Sequence, residues 1–324
     1  MNRSRELFAP RERYFMDVLQ ARLRGDNTGA LWAARRVVEI TPDYEVGLYE
    51  LGVSALRVNR PQETVNALAL YDFERELKGW VGSYDIFTQA CHVLGNHREE
   101  FEVAQRGCRN YPELLSTLFY ETRALAALGR VQEINQRLEE SLTLPPQQEW
   151  TPGEVMQLTA AELREHDHRQ AAFDVVARAI NWYNNRPAEE AATPAHRYAL
   201  ARALYRTERW EEAQALMEKL AAEDSSNIDY QGYLGAIAAR RGEPDKARRI
   251  AAPLQQLKRP YLFGRHTYWC ACIAALLGER EQAVALLREA FAQGQAYGAG
   301  VLNDMNLESL RDYPPFKELL RPKG

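Results

Sequence analysis

Cysteines and long apolar runs are scarce in this sequence. Its 324 residues include only four cysteines, which are too few for a disulfide framework. No segment approaches the roughly 20 consecutive apolar residues that are needed to cross a bilayer. The opening stretch MNRSRELFAPRERYF carries charges with no apolar run behind them, unlike a secretory signal. These absences predict a cytoplasmic protein in a reducing environment, without a membrane partner.

A strong excess of one charge is also lacking. The formal net charge is -4, which gives no strong overall field to attract nucleic acid or an anionic surface. Helical repeats that read nucleic acid need a basic stripe and a repeated pair of base-contacting residues, and only a partial stripe is found. We therefore expect no nucleic-acid partner.

Motifs of catalysis are missing as well. The sequence contains neither a GxxxxGK phosphate loop nor the GxGxxG and GxSxG patterns. Carboxylate pairs such as Glu99 and Glu100 are adjacent on predicted helices, so no pair is singled out as acid and base. Cys270 and Cys272 would point about 200° apart on a helix, which excludes a redox pair. We expect no enzymatic activity and no cofactor.

Two histidine-containing stretches raise the question of a metal site. His166 and His168, in the stretch HDH, fall at a predicted turn and are interpreted as solvated residues, with an adventitious metal site as the alternative. The stretch CHVLGNH, residues 91–97, offers one thiol and two imidazoles, and Cys91 is at a core-facing position. Buried packing is therefore favoured over ligation, and we expect no metal.

What the sequence does contain is a repeat. Residues that suit a turn recur between helical patterns at spacings of 34, 36, 34, 38, 41, 34 and 36 residues. These turn positions are Gly25, Asn59, Gly95, Gly129, Asp167, Glu208, Gly242 and Gly278. A glycine there permits a positive φ after a helix C-terminus. The spacing predicts about eight helical hairpins, each packed against its neighbours.

Residue types at fixed distances from the turns support this prediction. A small side chain five residues after the turn lets the two helices approach closely. Alanine occupies this position at Ala30, Ala213, Ala247 and Ala283. The third and fourth units depart from the pattern, with Glu100 and Ile134. Apolar residues between the turns fall at helical spacing, and no segment shows the sustained alternation of a strand.

The units resemble tetratricopeptide repeats, whose period is 34 residues. The N-terminal part of the family pattern is matched by the stretch LYELGVSAL at Leu51 and Gly52, and the sixth unit matches through Trp210 and Ala213. The C-terminal part of the pattern is matched by the stretch GDNTGALWAARRVVEITP. The resemblance covers nearly the whole chain and implies an all-α fold, a right-handed α-solenoid of about eight hairpins over residues 1–324.

Three segments stand apart from the repeat. Proline-rich stretches at 141–154 and 184–196 are interpreted as exposed loops, or as hinges that divide the solenoid. The last residues, 298–324, are expected to cap the open apolar face of the final hairpin. They also resemble the closing segment of bacterial proteins in which such repeats follow a kinase, cyclase or winged-helix domain, which implies a bacterial regulatory context. The matching residues are Leu307, Leu310, Arg311, Asp312, Pro315, Phe316, Leu319 and Leu320.

The first helix of each hairpin lines the concave side of such a solenoid, so the turn register names the inward residues. They are Tyr49, Arg57, Gln89, His92, Phe119, Arg123, Tyr198, Arg202, Tyr205, Arg206, Arg240, Arg265 and Tyr268, with Asp85 as an acidic exception. Arginine offers a planar fork for carboxylates, and tyrosine adds contact area at low entropic cost. We hypothesise that the C-terminal half of this groove binds an acidic, extended peptide or a partner's acidic surface; the alternative is a solvated helix face. On this hypothesis, reversing the charges of Arg202 and Arg206 leaves folding intact.

Two functions fit these expectations. The first is a non-enzymatic protein-binding scaffold or adaptor that holds a protein or peptide partner in its groove. The second is a regulatory sensor that binds a small molecule or signalling peptide and acts on a kinase or transcription partner. Some tetratricopeptide proteins hold a terminal carboxylate with two lysines and two asparagines, and this clamp is missing here. The oligomeric state stays open.

Overall fold

The computed structural model describes residues 8–73, 81–147 and 150–324, and its regular elements in these ranges are all helical. Eight hairpins follow one another: α1 (Pro10–Leu23) with α2 (Asn27–Ile40), α3 (Glu45–Arg57) with α4 (Pro61–Leu68), α5 (Gly82–Val93) with α6 (His97–Asn110), α7 (Leu115–Ala127) with α8 (Val131–Ser141), α9 (Pro152–Glu165) with α10 (Arg169–Asn184), α12 (Pro194–Arg206) with α13 (Trp210–Glu223), α14 (Ile228–Arg240) with α15 (Pro244–Gln255), and α16 (Arg265–Leu276) with α17 (Arg280–Ala292). The predicted all-α helical solenoid is confirmed.

Shorter elements complete the chain. The one-turn helix α11 (Ala188–Ala191) lies between the fifth and sixth hairpins. Residues 293–324, called the C-terminal segment below, contain α18 (Ala299–Leu302), a 3-10 turn (Glu308–Leu310) and α19 (Pro314–Leu320). The start of the predicted solenoid, residues 1–7, and residues 148–149 of the predicted 141–154 loop lie outside the described residues. Within the described ranges, no helix is long and apolar enough to cross a bilayer.

Every predicted turn position has a left-handed backbone, with φ between +63° and +79°. Five of the eight are glycines, for which this conformation carries no steric cost. Asn59 and Asp167 belong to the residue types that tolerate it best after glycine. Glu208 is not one of these residue types, yet it adopts the same conformation. Its carboxylate lies 3.7 Å from the guanidinium of Arg164 in the preceding hairpin. The turn register deduced from the sequence is therefore the register of the fold.

The position five residues after each turn is buried in all eight hairpins. The residues there are Ala30, Thr64, Glu100, Ile134, Ala172, Ala213, Ala247 and Ala283. A carboxylate at such a helix crossing needs an internal partner, because an unpaired buried charge is strongly destabilising. Glu100 has this partner in Arg123, whose Nε lies 2.9 Å from Glu100 Oε1. Because Glu100 replaces the usual small residue of the repeat, the next hairpin needs a buried cation at this point, and Arg123 supplies it.

Helices contact each other across both proline-rich segments. α9 packs against α7, and α12 packs against α10. Pro152 and Pro194 begin α9 and α12, where the missing N–H of proline costs no helical hydrogen bond. Thr151 and Thr193 cap the same two helices through their side-chain oxygens. The last residues of each segment therefore form the first turn of a helix. That the solenoid divides into two parts near these segments stays a prediction.

The C-terminal segment returns to the first two hairpins. Asn27 Nδ2 donates to the carbonyl oxygen of Gly294 at 3.0 Å. Asn59 Nδ2 donates to the carbonyl of Arg321 at 2.9 Å, and the backbone N–H of Lys323 donates back to the Asn59 carbonyl at 2.8 Å. The two ends of the solenoid are thereby joined by hydrogen bonds between residues about 260 positions apart.

Between these contacts the C-terminal segment crosses the concave side. Asn303 Nδ2 donates to Glu162 Oε1 at 2.7 Å, and Arg240 Nη2 donates to the Met305 carbonyl at 2.9 Å. Leu310 is fully buried. The segment contacts the eighth hairpin, where the sequence predicts a cap, and it also reaches the second, third, fifth and seventh hairpins. The concave side is therefore not an open groove along its whole length.

Candidate functional site

An inner cavity of about 540 Å³ lies between the sixth to eighth hairpins and the C-terminal segment. Its walls come mainly from α12, α14 and α16, the first helices of these hairpins, and from residues 295–306, with Gln89 of α5 and Leu158 of α9 completing the lining. Seven of the thirteen predicted groove residues line it: Gln89, Tyr198, Arg202, Tyr205, Arg206, Arg265 and Tyr268. The structure thus places six predicted residues of the sixth and eighth hairpins, with Gln89 of the third, around one partly open cavity.

Aromatic rings give this cavity a rigid wall. Tyr233 contacts Tyr205 and Trp269 with ring centroids 5.2 Å and 4.7 Å away. The Trp269 ring packs directly on the backbone of α14, because a Cβ built on Gly232 would lie 2.1 Å from it. Such tilted and edge-on ring pairs are favourable beyond the apolar area they bury. Only a glycine at position 232 allows this approach.

Two of the cavity's arginines are paired with acidic residues. Arg202 Nη1 lies 2.8 Å from Glu154 Oε1, and Arg265 Nε lies 2.6 Å from Asp229 Oδ1. Burial acts to lower the pKa of Arg202, but the charge and hydrogen bond of Glu154 outweigh it together with the effects of Tyr233 and Tyr198, so the pKa is raised. These two guanidinium groups therefore stay charged while holding α12 to α9 and α16 to α14. Their positive charge is largely compensated within the protein.

Arg206 differs from the other arginines of the cavity. It is the last residue of α12 and is partly buried. Its Nε atom is buried and has no hydrogen-bond partner among the described residues. Leaving a buried donor unsatisfied costs about 1–3 kcal/mol, so a ligand that accepts this hydrogen bond would recover that free energy. Among the described residues of the cavity wall, Arg206 is therefore the arginine whose guanidinium is available to bind an anion.

The other six predicted groove residues lie outside this cavity, and most contact the protein itself. Arg57 Nε donates to Asn27 Oδ1 at 3.0 Å. Arg240 Nε donates to the Tyr205 hydroxyl at 2.8 Å. Arg123 is only 2% exposed and pairs with Glu100. The rest of this group comprises Tyr49, which is half-buried, and the buried Phe119 and His92.

Sequence reasoning missed the acidic wall of the cavity. Asp304 Oδ2 accepts a hydrogen bond from the Tyr268 hydroxyl at 2.8 Å. Asp229 accepts from Trp269 Nε1 at 2.7 Å in addition to its ion pair with Arg265. Asp304 lies in the C-terminal segment, whose path no repeat pattern describes. The turn register alone could have found Asp229, since it lies in the first turn of an inward-lining helix.

Three histidines from the two stretches singled out in the sequence lie side by side. The ring centroids of His92, His97 and His166 are 5.1 Å to 5.4 Å apart. His166 is partly buried against the other two rings, so its interpretation as a solvated turn residue is wrong. Burial, followed by the charges of His92 and His97, lowers the pKa of His166 to about 4. The histidines come from two separate hairpins, which is why sequence spacing did not join them.

Comparison with known proteins agrees with the hairpin geometry. Residues 194–219, 230–253 and 264–289 match the family model of the tetratricopeptide repeat. These three segments are tetratricopeptide repeats. Each repeat covers most of one hairpin, namely α12 with α13, α14 with α15, and α16 with α17. No curated protein matches the chain.

The solved structures to which the chain is similar have low sequence identity to it. A tetratricopeptide repeat protein from Parabacteroides merdae is 11% identical, with 93% of this chain and 98% of that chain covered and a TM-score of 0.41. MamA from Desulfovibrio magneticus RS-1 is 21% identical, with 55% and 95% covered and a TM-score of 0.33. The APC/C Cut9–Hcn1 hetero-tetramer is 13% identical, with 84% and 48% covered and a TM-score of 0.42.

Proposed function

We propose that this protein is a non-enzymatic, cytoplasmic protein-binding adaptor that takes a short acidic segment of a protein partner into its inner cavity. Tetratricopeptide repeats stack into concave surfaces that serve as binding sites. The observation that carries the proposal is the Arg206 guanidinium, which lines the cavity and has an unsatisfied Nε. A carboxylate is the acceptor that matches an arginine fork best.

The size of the cavity favours a short ligand over a long extended peptide. Its volume of about 540 Å³ is within the range of ordinary ligand pockets. The C-terminal segment occupies much of the remaining concave side, which leaves little room for a peptide that runs along the whole solenoid. The aromatic wall around Tyr233 and Trp269 would contribute contact area beside the carboxylate. We therefore expect one or two acidic side chains of the partner, or a terminal carboxylate, to be bound.

Peptide binding to matched variants tests this function. Fluorescently labelled octapeptides rich in aspartate, with a free C-terminal carboxylate, are titrated with the wild-type protein, Arg206→Gln and Arg249→Gln. Arg249 is an exposed arginine on the outer helix α15 and serves as the control. We expect Arg206→Gln to weaken binding about ten-fold or more, and Arg249→Gln to leave it unchanged. Equal affinity of all three proteins, or equal binding of an amidated asparagine peptide, would contradict the proposal.

The position of the C-terminal segment in the cavity wall favours a second candidate, a regulatory sensor for a small acidic molecule. Here the C-terminal segment forms one wall of the site, so a bound molecule would contact the same segment that joins the two ends of the solenoid. Thermal unfolding in the presence of small dicarboxylates tests this alternative. An Arg206-dependent rise in Tm with dicarboxylates, together with no binding of the octapeptides, would favour the sensor over the adaptor.

A further inference from the structure

Two histidines and a carboxylate converge between the third and fifth hairpins. His92 lies near the end of α5, while Glu162 and His166 are one helical turn apart at the end of α9. One donor atom from each of these three residues lies within 4.8 Å of the other two. Two imidazoles and one carboxylate form a ligand set that divalent zinc takes in proteins.

Two of these three residues have a buried polar atom without a hydrogen-bond partner in the described part of the chain. His92 Nε2 is 3.4 Å from Glu162 Oε2, yet Glu162 Oε2 makes no hydrogen bond and is buried. His166 Nε2 is likewise buried without a partner. Glu162 is only 1% exposed, so water cannot compensate its carboxylate freely. Buried polar atoms without partners are uncommon in native proteins, and an unoccupied ion site is one of their recognised causes.

The opposite sides of His92 and Glu162 are already held in place. His92 Nδ1 lies 3.0 Å from Glu100 Oε2, which is the carboxylate contact that orients a metal-binding imidazole and directs the lone pair of its other nitrogen outward. Glu162 Oε1 accepts a hydrogen bond from Asn303 Nδ2 at 2.7 Å. Arg123 compensates the charge of Glu100. The charge of Glu162 then faces the two imidazoles.

The distances suit a small cation. Two ligands that each lie about 2.0–2.1 Å from zinc in a tetrahedral site are about 3.3–3.4 Å apart. The separation of His92 Nε2 and Glu162 Oε2 is 3.4 Å. His166 is partly exposed at the end of its helix, which offers an entry path. His92 and Glu162 are therefore already at the separation of two zinc ligands, and the imidazole of His166 lies within 4.8 Å of both.

We propose that His92 Nε2, Glu162 Oε2 and His166 Nε2 bind a divalent first-row transition cation of the zinc type. Imidazole and carboxylate together suit this class of metal better than they suit calcium or magnesium, which prefer all-oxygen sites. The cation would link the third hairpin to the fifth through side chains alone. It would also fix Glu162, and through Asn303 the C-terminal segment that crosses the concave side.

Metal binding by tag-free protein tests the proposal. Chelator-treated wild type, His166→Ala and Glu162→Gln are titrated with Zn²⁺ by calorimetry, and bound metal is counted after dialysis. His168→Ala is the control, because His168 lies in the same turn but outside the cluster. We expect the wild type and His168→Ala to bind about one equivalent, and the two ligand variants to bind at least ten-fold more weakly.

A second readout separates this site from adventitious binding and from misfolding. Co²⁺ added to the wild type should give the visible absorption of a four- or five-coordinate centre, and Zn²⁺ should raise its Tm. Circular dichroism of the metal-free variants checks that the fold is kept. A folded wild type that takes up no stoichiometric Zn²⁺, or a His168→Ala loss equal to that of His166→Ala, overturns the proposal.

Discussion

Gly25 and Gly294 face each other so closely that a Cβ built on Gly294 would lie 2.7 Å from the Cα of Gly25. The first glycine is the turn of the first hairpin, and the second follows the last helix of the eighth. Backbone therefore contacts backbone where the two ends of the solenoid meet. A helical repeat array usually keeps two free ends that need capping, whereas here each end covers the other.

Replacing Gly25 by alanine should cost more than the same change in an equivalent turn. Gly25 and Gly95 share a φ of +75°, so alanine strains both turns by about 1–2 kcal/mol. A Cβ at Gly25 would also lie 2.5 Å from the Gln293 carbonyl oxygen, while nothing lies within 4 Å of a Cβ at Gly95. We expect Gly25→Ala to lose about 1–3 kcal/mol more free energy of unfolding in urea. Equal losses for Gly25→Ala and Gly95→Ala would show that the closure adds no stability.

A charge at a helix crossing should be far more damaging than one on the outer surface of the same helix. Ala213 is fully buried at the crossing of α12 and α13, and Ala215 of α13 is exposed. Ala213→Glu should therefore lower the free energy of unfolding by about 3 kcal/mol or more. Ala215→Glu, the control, should change it by no more than about 0.5 kcal/mol. An unchanged Tm for Ala213→Glu would contradict the helix register.

The hairpins could be predicted from the sequence because their signals are local. A residue such as Gly129 that adopts positive φ, and a buried residue such as Ala247 five positions after a turn, are visible within one repeat. The path of the C-terminal segment could not be predicted in this way. Its contacts, such as Asn59 with Arg321, join residues 262 positions apart and follow no period.

The candidate site was predicted in part for the same reason. The turn register predicts Tyr198 and Arg206 on the inward face from the local helix alone, and both line the inner cavity. It does not show which inward arginines have partners, because the partners lie in other hairpins. The sequence raises the histidines of the proposed cation site only as separate stretches, since His92 and Glu162 are 70 positions apart and meet only after α5 and α9 have packed around α7.

Reversing the charge of Arg202 should therefore destabilise the protein, contrary to the expectation that Arg202 and Arg206 can be reversed without loss of folding. Arg202→Glu would place two carboxylates beside each other, because Glu154 Oε1 lies 2.8 Å from Arg202 Nη1 in a partly buried pair. We expect a loss of about 2 kcal/mol in the free energy of unfolding. Arg206→Glu, with no acidic partner among the described residues, should cost less.

The double variant Glu154→Arg with Arg202→Glu is the check on this pair. It restores opposite charges at the two positions and should recover part of the stability that Arg202→Glu loses. Urea unfolding of the two single variants and the double variant gives the coupling free energy directly. Additive losses in the double variant would show that the two side chains do not interact.

Acidification should loosen the C-terminal segment through Glu308. Glu308 Oε2 lies 2.9 Å from Arg164 Nη2, and Arg169 contacts its other oxygen. Burial acts to raise the pKa of Glu308, but the hydrogen bond and charge of Arg164, with the charges of Arg169 and Arg311, outweigh it and lower the pKa. A carboxyl whose pKa is lowered on folding contributes stability above its ordinary pKa of about 4.3 and loses it as the pH falls through the lowered value.

Glu308→Gln should accordingly be less stable than the wild type at pH 7 and approach it near pH 3. Because Glu308 is partly exposed, solvent screening limits the difference at pH 7 to about 1 kcal/mol. Urea unfolding at both pH values measures it, and proteolysis of the C-terminal segment should be faster for the variant at pH 7. Glu318→Gln is the control, since Glu318 is exposed and pairs with Arg321 inside the segment itself. A difference between wild type and Glu308→Gln that stays constant from pH 7 to pH 3 would mean that the ion pair with Arg164 does not hold the segment.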